Sequence, residues 1–226
     1  MKTPHVYAGF LALAVSAMSG DISGHIVISK QISKKPVSAA VYSLRGVAPP
    51  EASKSETAAA NEYERVVLWL EGGNLPPKAP VAATMNQRGI DFSPDLLIVP
   101  VGSTVDFPNS DPIFHNVFSL SKTQTFDLGF YPRGQSRSVK FNRPGVVQLY
   151  CHLHSKMYAV IVVTSSPWYA KGSADGTFSF SSVPEGHYRL FGWHKVAGLY
   201  QTDVVVNPHG VTEATIRIPV DVEPPK

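Results

Sequence analysis

The chain has one cysteine, Cys151, and it heads a run that presents three metal-binding side chains at a constant step: Cys151, His154 and Met157. A fourth such side chain, His115, lies 36 residues earlier. Two imidazoles, a thiolate and a thioether are a ligand set for copper, because soft sulfur suits Cu(I) and imidazole suits Cu(II). A His-His-Cys plane with a weak axial Met is the blue-copper arrangement. Converging these four atoms needs a rigid frame, with three ligands on one tight loop between strands and His115 brought in by another strand pair. Taken singly, each residue has an ordinary explanation. A free Cys is usually a small buried hydrophobe, a Met usually fills core space, and a lone His is usually a satisfied polar group. Those explanations weaken together, since the only Cys of the chain carries its neighbours at this spacing. His152 lies between the ligands, but on an extended segment it faces the opposite way and is left out.

The flanking segments read as strands. Leu96–Val99 and Ser103–Phe107 precede His115, Val146–Tyr150 leads into Cys151, and Tyr158–Val163 leads away from Met157. Pro144-Gly145 punctuates the entry to the Cys151 strand. No long stretch carries the apolar period of a helix, and 19 Pro with 17 Gly favour strands and turns. The expected class is all-β.

Three local patterns resemble the cupredoxins, near plastocyanin, amicyanin and proteins described as methylamine utilization proteins. They are Phe92-Ser93-Pro94 with Val101-Gly102-Ser103-Thr104-Val105, then His115-Asn116-Val117-Phe118, then Cys151-x-x-His154-x-x-Met157. The short Cys-to-Met loop is closer to amicyanin's. The resemblance covers roughly residues 81–164 and implies a Greek-key copper-binding sandwich. By it, His115, Cys151 and His154 are equatorial ligands and Met157 is axial. It also implies that Asn116 locks the two ligand loops together, its backbone N–H aimed at the Cys sulfur. A surface His154 within an apolar patch would form the electron port.

The remainder of the chain reads as a second, small β-sandwich. Gly24–Ile28, Val37–Tyr42 and Val66–Leu70 are strand-like, with a surface excursion over residues 47–61. Pro76, Pro77 and Pro80 make a stiff linker. After Ser165-Ser166-Pro167, a turn at Ala174–Thr177 opens the alternating segments Thr177–Phe180, His187–Phe191, Asp203–Val206 and Ala214–Ile218. The patterns Asp175-Gly176-x-Phe178-x-Phe180 and Val183-Pro184-x-Gly186-x-Tyr188 resemble carboxypeptidase-regulatory-like sandwiches. The usual opening of such a domain, Gly24-His25-Ile26-Val27 followed by Lys35-Pro36-Val37-x-Ala39-x-Val41-Tyr42, stands at the other end of the chain. Residues 24–70 and 172–218 are therefore expected to form one discontinuous sandwich interrupted by the copper module. In the competing reading, the N-terminal strands extend the copper sandwich itself. His187, His194 and His209 lack ligand spacing and read as turn and surface residues, with Trp193-His194 packing against the copper module.

Residues 1–20 read as a secretory signal. Lys2 gives the positive start, Val6–Ala17 is apolar, and Ala17-Met18-Ser19 is a small-x-small cleavage site. An uncleaved anchor is the alternative; no other segment is long and apolar enough to span a bilayer. The expected location is periplasmic or secreted. An odd Cys in an exported chain points to a liganding thiol rather than a disulfide framework. The formal charge of +3 argues for neither nucleic acid nor an anionic membrane.

The expected function is single-electron transfer at one type 1 copper site between a redox donor and acceptor, without enzymatic activity. Copper binding or delivery with no redox role is the alternative. An interaction module with structural copper, and a fragment of an oxidase or nitrite reductase, are further readings. The last would need more copper sites with clustered His.

Overall fold

The structure is a computed structural model that describes residues 18–29, 61–73 and 75–218. The expected strand Val37–Tyr42, nearly all of the excursion 47–61 and residues 1–17 of the leader lie outside the described residues. Among the described residues the regular structure is strand, apart from a 3₁₀ turn at Glu62–Arg65. The all-β class expected from the turn-rich composition is what is observed.

Among the described residues, seventeen strands form four principal sheets and a two-stranded ribbon. The first two strands are β1 (Ser19–Ile28) and β2 (Val66–Glu71). The central region holds β3 (Ala82–Thr84), β4 (Asn86–Gln87), β5 (Phe92–Ser93), β6 (Leu96–Pro100), β7 (Thr104–Pro108), β8 (His115–Ser121), β9 (Gln124–Tyr131), β10 (Ser136–Lys140), β11 (Gly145–Tyr150) and β12 (Tyr158–Thr164). The rest follow as β13 (Tyr169–Lys171), β14 (Thr177–Pro184), β15 (Gly186–His194), β16 (Gly198–Val206) and β17 (Val211–Ile218).

Sheet β10-β7-β3 faces the five-stranded sheet β6-β12-β11-β8-β9. Between them lies a core that includes Phe107, Val117, Phe141, Val147, Leu149, Ala159 and Ile161, all fully buried. Strand β12 pairs antiparallel with β11 and parallel with β6, so the strands on either side of the Cys151 loop are fixed along their full length. In the other sandwich, sheet β14-β1-β17 faces sheet β13-β2-β15-β16. Ile22, Leu68, Leu70, Phe180, Leu190 and Ile216 fill the space between. Strand β1 is antiparallel to β14 and parallel to β17, while β2 lies between β13 and β15.

A third apolar cluster joins the two sandwiches. Val67, Trp69, Phe191 and Trp193 pack against Leu96, Val160 and Val162. Alternation explains how two strands serve two cores at once. In β2, Val66, Leu68 and Leu70 face one core while Val67 and Trp69 face the junction; in β12, Ala159, Ile161 and Val163 face inward while Val160 and Val162 face the junction. Strands covered on both faces read as continuous apolar runs rather than alternating ones. Val66-Val67-Leu68-Trp69-Leu70 and Ala159-Val160-Ile161-Val162-Val163 are such runs.

Candidate metal centre

Period-two alternation continues past the end of β11 and aims the cysteine. Val147, Leu149 and Cys151 all point into the core, and Cys151 is buried. The next residue, His152, turns outward. Its ring stacks on Phe118 at 3.9 Å between centroids and 6° between planes, and its Nε2 lies 3.2 Å from Asp127 Oδ2. That is the outward orientation expected for His152.

Beyond it the chain turns tightly. The Met157 N–H donates to the His154 carbonyl at 2.9 Å, closing the loop over Ser155 and Lys156. His154 is half-buried at this turn and Met157 is fully buried, in the same core cluster as Cys151. His115 opens β8 and is also fully buried. The β8–β9 pairing shifts register between Asn116 and Phe118. Such bulges re-aim side chains next to sites.

The strands bring three of the sequence-selected side chains to one point. One ligand atom from each of His115, Cys151 and His154 lies within 4.8 Å of the others. Cys151 Sγ is 4.0 Å from His115 Nδ1 and 3.8 Å from His154 Nδ1. The two imidazoles meet edge to face, with centroids 4.8 Å apart and planes at 65°. A metal with thiolate and imidazole bonds of about 2.3 and 2.05 Å, meeting at about 120°, holds its donors about 3.8 Å apart. The two observed sulfur–nitrogen separations are close to that value.

Asp111 belongs to the site although its sequence position did not single it out. Its Oδ2 lies 2.8 Å from His115 Nε2, the ring nitrogen remote from Cys151. The carboxylate also accepts the N–H of Gly89 at 2.7 Å and of Ile90 at 2.8 Å. Burial pushes the Asp111 carboxyl up, but the Ile90 and Gly89 N–H groups and His115 outweigh it and hold it below the ordinary range. The only signal for it in the sequence was an aspartate four residues before the histidine, in a Pro-Asn-Ser-Asp turn.

Asn109 shapes the same loop. Its side-chain amide donates to the Ile113 and Tyr131 carbonyls at 2.8 and 3.0 Å, and its Oδ1 accepts the Asp111 N–H at 2.9 Å. Asn116 ties the two ligand loops together through its side chain. Oδ1 accepts the His152 N–H at 3.3 Å, and Nδ2 donates to Asp127 at 2.6 Å. The loops that carry His115 and His154 also expose apolar side chains: Ile113 and Phe114 on one, Leu153 on the other.

One histidine departs from expectation. His187 and His209 are exposed, but His194 is fully buried. Its Nε2 lies 3.0 Å from Glu62 Oε2, and its Nδ1 accepts the N–H groups of Val196 and Ala197 at 3.2 and 3.0 Å. It anchors the β15–β16 hairpin rather than a surface turn, because Glu62, distant in sequence and partly buried, pairs with it. Trp193 does pack against the central sandwich, through Val160 and Val162.

No protein-family model matches the chain, and no curated protein matches it. Part of the chain is similar to solved structures. One is a reduced Cu(I) form of an amicyanin variant, 23% identical, with 37% of this chain and 82% of that chain covered and a TM-score of 0.35. Another is described as a novel purple cupredoxin from Nitrosopumilus maritimus, 26% identical, covering 36% of this chain and 99% of that one, TM-score 0.34. A Cu-containing nitrite reductase from Thermus scotoductus SA-01 is 26% identical over 42% of this chain and 24% of its own, TM-score 0.35.

Proposed function

We propose that this chain is an exported type 1 copper protein that carries single electrons between a donor and an acceptor protein. The observation that carries the reading is the convergence of three donors: Cys151 Sγ lies 4.0 and 3.8 Å from the Nδ1 atoms of His115 and His154, and one ligand atom from each residue lies within 4.8 Å of the others. Bound copper would supply the one-electron couple. Everything else is the work of the chain. Cys151 would hold the ion through its thiolate, with His115 and His154 adding their Nδ1 atoms. Met157, fully buried in the core cluster that includes Cys151, would add a weak thioether donor.

Both ligand-bearing segments grow directly out of paired strands, β8 on one side and β11 and β12 on the other. A frame of that kind holds the donors still, so a change of charge at the site moves few atoms. His154 is the half-buried member of the set, flanked by exposed Leu153. We take this edge, with Ile113 and Phe114, as the surface where a redox partner docks. The leader-like residues 1–20 support export to the periplasm or beyond.

Voltammetry of the copper-loaded protein tests the role. Electron carriage requires a reversible one-electron couple and rapid electron exchange between oxidised and reduced protein. Slow exchange, together with ready handover of Cu(I) to a competing chelator, would favour copper delivery instead.

A further inference from the structure

We propose that Asp111 is a positioning residue that orients His115 toward the metal and biases the site toward the oxidised ion. The inference rests on the copper reading above and names a control element within that site.

The geometry is a relay from backbone to carboxylate to imidazole. Gly89 and Ile90 both adopt left-handed backbone, with φ of 68° and 57°. Consecutive N–H groups in such a turn form a concavity that binds an anion. Here the anion is the Asp111 carboxylate, held at 2.7 and 2.8 Å. Ile90 is β-branched, and a β-branched residue at positive φ is a strained conformation that persists only where its surroundings impose it. From the other side, Asn109 Oδ1 accepts the Asp111 N–H. The carboxylate is thereby fixed, buried and pointed at His115 Nε2 at 2.8 Å.

Two consequences follow for His115. A carboxylate accepts only, so the Nε2 atom carries the proton and the Nδ1 lone pair is left facing Cys151. A carboxylate partner on the far nitrogen also makes an imidazole a stronger donor, and loss of such a partner typically costs 10–100-fold in metal affinity. The extra donation and the nearby negative charge act more strongly on Cu(II) than on Cu(I). Asp111 therefore lowers the reduction potential, whereas a purely structural Asp111 would affect both ions alike.

The test compares full-length wild type with Asp111→Asn. The affinities for Cu(II) and Cu(I) are measured separately by chelator competition, and the potential by voltammetry. The expected result is a loss of Cu(II) affinity on the order of tenfold with a smaller loss for Cu(I). Each tenfold difference between the ions raises the potential by about 59 mV. A wild type that binds copper and an Asp111→Asn variant with unmoved potential overturn the role of Asp111 and leave the copper reading standing. A wild type that binds neither ion overturns both. Should the variant fail to fold, nitrogen-15 NMR of the Cu(I)-loaded wild type decides. A slowly exchanging, strongly hydrogen-bonded His115 Nε2 proton supports the assignment, and a freely exchanging one overturns it.

Discussion

Met157 is fully buried in the core cluster that holds Cys151, three residues beyond His154. In the proposed site it would be a weak donor that sets the potential more than it holds the metal. Replacing it with Leu conserves volume and costs less than about 1.5 kcal/mol of stability. Met157→Leu should therefore keep the blue site and raise the potential, while Met157→Gln, a harder donor, lowers it. Voltammetry that shows neither shift removes Met157 from the coordination sphere. The four ligand candidates were legible in the sequence because their chemistry is rare and their spacing short. Asp111 was not, because its role depends on backbone N–H groups of Gly89 and Ile90, over twenty residues away, that only the folded chain brings to it.

Strands covered on both faces announced themselves as apolar runs, and β1, β14, β16 and β17 announced themselves by alternation. The apolar runs in β2 and β12 were clear. Strand β9 alternates only as far as Leu128 and slips at Gly129, with one residue fully buried, and β3, β4 and β5 span only two or three residues. These escaped notice because pairing partners, not their own side chains, hold them extended. The β15–β16 hairpin shows a similar dependence on distant contacts. Burial lowers the His194 pKa below the ordinary value of 6.5, with Glu62 only partly offsetting it. Protonating Nδ1 would also break its bonds to Val196 and Ala197. The folded state thus resists a proton that the unfolded chain accepts, so this contribution is full above about pH 6.5 and is lost as pH falls below it. Thermal melts from pH 8 to pH 5 should show wild type losing stability faster than His194→Gln, at about 2–4 °C for each kcal/mol. Parallel curves would show that His194 does not control this region.

At the scale of the molecule, we propose that the copper sandwich is inserted into the other one. In the structure β1 pairs with β14 and β17, and β2 pairs with β13 and β15. A chain ending near residue 166 would leave both N-terminal strands without those neighbours, with unpaired edges and an uncovered apolar face. Limited proteolysis of such a fragment should cut within residues 19–71 while sparing residues 81–164. Full protection of residues 19–71 would mean that they belong to the copper sandwich. The junction residues Trp69, Phe191 and Trp193 were recognisable as apolar, but their covering by Val160 and Val162 depends on how the two sandwiches meet, which no local pattern encodes.

A thiolate–copper bond at Cys151 is tested by the absorption spectrum after addition of Cu(II). Full-length protein should take up one copper and turn intensely coloured through thiolate-to-copper charge transfer, and Cys151→Ser should bind without that colour or not at all. A folded wild type that stays colourless, or a Cys151→Ser variant as coloured as wild type, would contradict the account.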